Sequence, residues 1–493
     1  MEVLRLLRST RNTLAPISMI PPEVLALVPD FWDREDRGQD LVALTHVCKA
    51  WRETFTSCSS LWTDLDCVDA DKTRAYLKRS KSSPIHLSLN RDRHSFFDDP
   101  DDPFFELAPE VIGRLESLTV KAPPEHFQEI TDRLSCPAPL LRRLEIDIDY
   151  TSEPQRKLVL GPALFDGDLS SLRKLHLGSV RTELPWRNMV NLTSFKLCCM
   201  PPWEIATTQL LDFLESAPRL SEVELYDTGL TYNAQRGRLV SLQYLKKCYV
   251  YGWQPSSTFF DHLLIPIGAD LTIELDLPHP WVEDHLPKSL NNLRNFPNFN
   301  KIDIFFGQIS TRLQFSGPNG RVCLELHTFG SNATQIVLKL LALFDTSKIR
   351  ELELTGSNLH SDNLPYKALS PMKNLRILTI PRCPNLSLFF HTIDPGLGSS
   401  KVVICPKLEK LDIVMEKGFD AQSLVSLAVA RASRGAKLES VRIVSRAKLV
   451  PTVLSKLRER VSYVEYEPPA VEEEDSHSGD DSDEGDSGGE FSW

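Results

Sequence analysis

Four side chains of metal-ligand type fall within seven residues, His279, Glu283, Asp284 and His285. A metal site needs donors that converge on one point. Pro280 turns the chain here and nothing places the four on one helical face, so no metal is expected. Cys198 and Cys199 follow LTSFKL directly. Neighbours in a strand point to opposite faces, which argues against joint ligation. GLGSSK, Gly396–Lys401, has glycines and a lysine but not the spacing that cradles a phosphate. GxGxxG and HExxH do not occur. The expectation is therefore no catalytic residue, no cofactor, and a protein that is not an enzyme. The numerous carboxylates fall instead between regularly spaced leucines.

That spacing defines the elements. The template LxxLxL recurs as LESLTV at Leu115, LRRLEI at Leu141, LRKLHL at Leu172, LTSFKL at Leu192 and LSEVEL at Leu220. Later copies are FNKIDI at Phe299, IRELEL at Ile349, LRILTI at Leu375, LEKLDI at Leu408 and LESVRI at Leu438. Weaker candidates begin at Leu242, Thr272 and Arg321. The mean interval is about 27 residues, within the ~20–29 of leucine-rich repeats. Each repeat predicts a strand followed by a helical or irregular return segment. Its fourth and sixth residues would enter a core shared with its neighbours, because one repeat cannot bury its own face. IHLSL, Ile85–Leu89, alternates in the same way and is expected to open the sheet. The fold class is therefore α/β, an irregular solenoid with a curved parallel sheet. The usual Asn after the template is missing from most copies, and the spacing is uneven.

The outward side of such a sheet carries the residues between the buried ones. The central outward position reads Thr119, Glu145, His176, Lys196, Glu224, Asp303, Glu353, Thr379, Asp412 and Arg442. Signs alternate, so no uniform field selects a partner. Glu145, His176, Lys196, Glu224, Asp303, Glu353, Asp412 and Arg442 are the candidates for binding a protein.

Ahead of the repeats lies a different pattern. Leu41, Leu44, Val47, Cys48 and Trp51 follow helical spacing and predict one apolar stripe. IPPEVLALV, Ile20–Val28, precedes it, with Pro21, Pro22 and Glu23 suited to a first helical turn. Phe55, Leu61 and Trp62 form a second apolar cluster. From pattern alone, a docking module and an ordinary helical hairpin both fit. The order hydrophobic-Pro-x-Glu-Val-Leu, Asp-Leu-Val-Ala-Leu, Val-Cys-Lys-Ala-Trp-Arg and a closing Leu-Trp resembles the F-box over Ser18 to Trp62. Asp69–Leu89 resembles the continuation seen in the large F-box family of basidiomycete fungi. The connector Pro29–Gln39 departs from the shorter, more apolar hairpin of that module. The resemblance implies binding to the Skp-type adaptor of cullin–RING ubiquitin ligases, and through it to a cullin complex. The adaptor face it suggests is Pro21, Leu25, Leu41, Leu44, Val47, Trp51 and Trp62. The repeats would then hold a protein substrate. A repeat scaffold with no ligase role is the alternative.

Bulk properties agree with several small cores rather than one: 493 residues, 41% hydrophobic, mean hydropathy −0.21. The longest apolar run, IVLKLLALF at Ile336–Phe344, is interrupted by Lys339 and falls short of a membrane span. MEVLRLLRSTRNTLAPIS lacks a secretory pattern, although Arg5, Arg8 and Arg11 among leucines share features of a transit peptide. Ten scattered cysteines without CxxC suggest an intracellular protein, cytoplasmic or nuclear, with reduced thiols. Net charge is −11, and Glu472 to Glu490 carries ten of the acidic residues with no Lys or Arg. The remainder is near −1, so nothing favours nucleic acid. The expected layout is an extension at 1–17, an F-box at 18–69, a linker helix at 70–84, a solenoid at 85–467 and a disordered acidic tail at 468–493. Serines in that tail, Ser478 and Ser482 among acidic neighbours, fit phosphorylation and fit a plain solvating tail. Ser95–Glu110, acidic with aromatic pairs, reads as a surface loop or a short recognition segment.

Overall fold

A computed structural model describes residues 3, 16–31, 37–66, 69–90, 109–149, 158–182, 189–198, 205–228, 230–231, 237–252, 257–277, 299–307, 309–318, 320–328, 333–356, 364–382, 386–393, 403–415, 420–445 and 448–468. The stretches 91–108 and 278–298, the Gly396–Lys401 run and the tail beyond 468 lie outside them, so the expectations made there have no structural counterpart. The described chain divides into two compact units, Met1–Leu352 and Glu353–Trp493. Each is mixed α/β with a mostly parallel sheet.

The first unit opens with short helices, α1 at Pro22–Leu25, α2 at Arg37–Thr45, α3 at Lys49–Ser57 and α4 at Ala70–Ser80. The predicted single stripe is interrupted between α2 and α3. Cys48 has extended backbone, φ −158° and ψ 174°. Arg52 of α3 donates from Nε to the Thr45 carbonyl at 3.0 Å, so a side chain satisfies the open end of α2. Asp69 caps α4 by accepting from the Lys72 amide at 2.7 Å.

The sheet follows: β1 Asp64–Leu65, β2 Ile85–Asn90, β3 Leu115–Ala122, β4 Arg143–Ile148, β5 Lys174–Gly178, β6 Ser194–Cys198, β7 Glu222–Tyr226, β8 Lys247–Gly252 and β9 Asp270–Leu277. Each pairs in parallel with the next. From β2 on they begin at 85, 115, 143, 174, 194, 222, 247 and 270, intervals of 20 to 31 residues. In-register pairs Leu118/Leu144/Leu175/Phe195/Val223/Cys248/Leu271 and Val120/Ile146/Leu177/Leu197/Leu225/Val250/Ile273 fill the core in two rows, all buried. Burying one such side chain stabilises by roughly 1.5–3 kcal/mol, which is why the rows hold despite irregular returns.

Apart from Leu115, which opens β3, the template's first residue lies ahead of the strand. Leu141, Leu172, Leu192, Leu220 and Leu245 sit two residues before it, each amide bonded to a carbonyl three residues back. Those carbonyls belong to Ala138, Leu169, Met189, Ala217 and Leu242, which are buried too. This fourth apolar position displaces one weak repeat. The copy expected from Leu242 begins at Leu245, because Leu242 is the turn residue. The copies expected from Thr272 and Arg321 are also out of register. Leu271 and Ile273 are the paired core residues of β9, and Val322 and Leu324 their partners in the following parallel strand.

That partner is not the next strand in sequence. β10 Lys301–Phe306, β11 Ser310–Gly317 and β12 Gly320–Thr328 form an antiparallel meander, and β12 pairs in parallel with β9. The sheet thus runs β9, β12, β11, β10, and the parallel pairing expected of the irregular solenoid is broken here by a crossover. The unit boundary falls within β13, Glu351–Gly356.

The second unit is more regular. Strands β14 Ile377–Arg382, β15 Lys410–Met415, β16 Ser440–Ser445 and β17 Tyr463–Glu467 pair in parallel in that order. Helices Leu386–Ile393, Ala421–Ser433 and Pro451–Arg460 alternate with them. Arg431 is buried and donates 2.8 and 2.9 Å bonds to the carbonyls of Ile404 and Cys405. Burial holds its guanidinium below the usual range and pushes the Cys405 thiol up to about 12. No helix among the described residues is long and apolar enough to cross a membrane.

Candidate partner-binding surfaces

Two surfaces of the first unit differ from ordinary exterior. One lies in its N-terminal helices. Trp62 is the centre of their core: fully buried, its Nε1 donates to the Phe55 carbonyl at 2.8 Å, and Tyr76 meets its ring edge-on at 4.9 Å. The Arg79 guanidinium lies 4.2 Å from the same ring. Leu25 and Leu41 are buried as well. These three expected adaptor contacts therefore hold the small domain together, and a partner reaches none of them without unfolding it. Pro21 is exposed, Val47 is 56% exposed, and Leu44 and Trp51 are half-buried. Trp51 packs edge-on against Phe55 at 5.7 Å.

Near these four in the sequence is an exposed apolar set that the expected adaptor face did not include. Ile17, Met19, Ile20, Val24, Leu27, Val28, Phe31 and Val42 are exposed, Phe31 at 87% and Met19 at 80%. With Val47 they make nine of the 22 exposed large hydrophobics among the described residues, within 31 positions. A signal was present, since IPPEVLALVPDF is apolar at consecutive positions. Helical spacing has no meaning in a helix as short as α1, so periodicity passed over them.

The other surface is the outward face of the sheet. Register places Thr119, Glu145, His176, Lys196 and Glu224 side by side on β3 to β7. The row continues through Tyr249, Thr272, Cys323 and Gln314 to Asp303, so Asp303 is separated from the first five by four strands. In the second unit Thr379, Asp412, Arg442 and Glu465 form a row of their own. Arg442 there bonds Glu467 from Nη2 at 2.6 Å and lies 3.9 Å from Glu465. Glu353 lies half-exposed in β13.

In the first unit a second outward row joins the first and binds it into a network. Lys247 Nζ donates to Glu224 at 2.8 Å, and the Tyr226 hydroxyl donates to the same carboxylate at 3.2 Å. Lys196 lies over the Tyr226 ring at 5.1 Å, and Tyr226 packs on Tyr249 at 4.8 Å. The Tyr249 hydroxyl and His327 Nε2 both bond Glu274, the latter at 2.7 Å. Arg312 forks onto Glu325 at 2.8 and 3.1 Å. Burial, then the Glu224 charge, pushes the Tyr226 hydroxyl up to about 12. The Tyr249 hydroxyl is raised by burial and by its bond to Glu274. Burial works to raise Glu224, yet Lys247 and Tyr226 outweigh it and hold the carboxyl below its ordinary range. Each of these carboxylates thus has a donor within the sheet.

Tyr226, Glu274, Glu325 and Arg312 escaped sequence reasoning because only one outward position per repeat was followed. Tyr249 was hidden by the three-residue slip at Leu242. Among the described residues no three His, Cys, Asp or Glu side chains group as a metal site; His279 to His285 fall outside them. No family model matches the chain, and no curated protein is significantly similar to it.

Proposed function

We propose that the chain is the substrate-recognition subunit of a Skp–cullin–F-box type ubiquitin ligase. The helical segment Ile17–Trp62 docks on the adaptor, and the outward sheet face engages a protein target. The supporting observation is the concentration of exposed apolar side chains from Ile17 to Val47, ahead in sequence of a core pinned by Trp62. Apolar surface in water costs roughly 25 cal/mol per Å², so a cluster of this density is expected to be covered by a partner. The adaptor-facing set becomes Pro21, Val24, Leu27, Phe31, Leu44, Val47 and Trp51. No bond chemistry is assigned to the chain on this reading. Its contribution is proximity, which raises the effective concentration of target lysines beside the ligase.

Pull-down of a purified Skp-type adaptor by the full chain tests this. Phe31→Asp with Val47→Asp is expected to abolish capture while the melting temperature stays within a few degrees. Capture at wild-type level by the folded variant removes the assignment. A wild-type chain that never captures adaptor favours the alternative, a repeat scaffold outside the ligase.

A further inference from the structure

Three adjacent strands bring Glu145, His176 and Cys198 into line. His176 Nδ1 lies 3.3 Å from Glu145 Oε1, and its Nε2 lies 2.9 Å from Cys198 Sγ. With the imidazole proton on Nδ1 toward the carboxylate, the Nε2 lone pair faces the thiol. We propose that Cys198 is an activated thiol, a modification site for hydroperoxides, with His176 as its base and Glu145 as the residue that positions the imidazole.

Burial holds His176 below its ordinary range, so the imidazole is neutral and its Nε2 can accept a proton; the nearby charges pull in both directions. Glu145 and Asp147 of β4 favour the imidazolium, and Lys196 of β6 disfavours it. The same Lys196, on the strand that carries Cys198, is placed to offset a negative sulfur. Tyr226 of β7 faces the sulfur from the other side, and its raised hydroxyl stays protonated at neutral pH. Gly178 stands between Asp147 and Cys198 in the register. A side chain there would begin 2.3 Å from Asp147 Oδ1, so the glycine leaves that space to the Asp147 carboxylate. Cys198 is half-exposed and not in a disulfide. Thiolate, not thiol, is the nucleophile, and a neighbouring base increases its fraction.

The step balances within this set and one hydroperoxide. Cys198 passes its proton to His176 Nε2. The thiolate attacks the terminal peroxide oxygen, forming S–O as O–O breaks. The departing alkoxide or hydroxide takes the proton from His176. Sulfur loses two electrons, the peroxide gains them, and the products are a sulfenic acid and an alcohol or water. Because Cys198 borders Tyr226 and Lys196, the added oxygen would alter the face proposed to hold a target.

Residue-by-residue alkylation of the full chain by limiting iodoacetamide, read by peptide mass spectrometry from pH 5 to 9, provides the test. Cys58 and Cys136, also half-exposed, are the internal standards. Cys198 is expected to react at least 10-fold faster than both at pH 6.5, with a midpoint below the ordinary ~8.5 of a thiol. His176→Gln should bring it to their level, and Glu145→Gln should shift its pH profile. Dimedone should label Cys198 after one equivalent of hydrogen peroxide in wild type and not in His176→Gln. The proposal is overturned if wild-type Cys198 reacts no faster than Cys58 and Cys136. It is equally overturned if folded His176→Gln leaves its rate and profile unchanged. The adaptor pull-down is independent of both outcomes.

Discussion

The N-terminal helices and the outward sheet face of the first unit solve opposite problems. Around Trp62 the interior is satisfied and the exterior is not, since apolar side chains from Ile17 to Val47 stand in water. On the sheet the polar exterior is satisfied by itself, through Glu224 with Lys247 and Tyr226, and Glu274 with Tyr249 and His327. An exposed apolar cluster gains free energy only when covered. A face whose ions and hydroxyls are already paired gains little from another charge, and recognises through shape and aromatic contact. On the proposed function, the first surface would dock a partner constitutively and the second would capture one selectively.

The largest blow to this contrast falls on Trp62. Trp62→Ala removes an aromatic buried on every side and should cost about 3–5 kcal/mol in urea unfolding, with adaptor capture lost alongside. A smaller loss would mean that the helices are not organised around it. Next, Phe31→Asp with Val47→Asp should leave unfolding almost unchanged while weakening adaptor binding by about 2–4 kcal/mol in calorimetry. Equal effects on folding and binding would erase the distinction between satisfied interior and unsatisfied exterior. On the sheet, Tyr249→Phe deletes one donor to Glu274 and leaves His327 in place, so a loss of about 1 kcal/mol is expected from urea unfolding.

The smallest effect concerns His86, which joins β1 to β2. Its Nδ1 lies 2.9 Å from Asp64, and that bond, against the cost of burial, raises its proton affinity above the unfolded value. The sign follows from linkage. A raised histidine contributes stability fully below the unfolded pKa of ~6.5 and loses it as pH rises through the folded value. Its side chain is 38% exposed, so solvent screening limits the contribution to a few tenths of a kcal/mol. Urea midpoints should fall slightly from pH 6 to pH 8, and His86→Gln should flatten that change.

What the sequence disclosed follows the same contrast. LxxLxL located the strands because its fourth and sixth positions alternate inward, and β3 to β7 carry them in register. It misplaced the copies at Leu242, Thr272 and Arg321 for a physical reason. The apolar turn residue three positions upstream imitates a first leucine, and long strands such as β9 and β12 alternate throughout, so period two carries no register mark. The β10–β12 meander was illegible because its partners are chosen by non-local pairing. In the helices, the stripe from Leu41 to Trp51 was readable as amphipathic. The break at Cys48 depends on Arg52 reaching the Thr45 carbonyl, a contact that no spacing encodes. The resemblance to the F-box marked Leu25, Leu41 and Trp62 as adaptor contacts, and only packing showed them facing inward.

The central claim is that the Ile17–Val47 cluster docks a Skp-type adaptor. Titration calorimetry of purified adaptor into the full chain, wild type against Phe31→Asp with Val47→Asp, tests it most directly. The account predicts micromolar or tighter binding with a negative heat-capacity change for wild type, and at least a 30-fold loss in the folded variant. No heat of binding with wild type, or the same affinity in both, would contradict it.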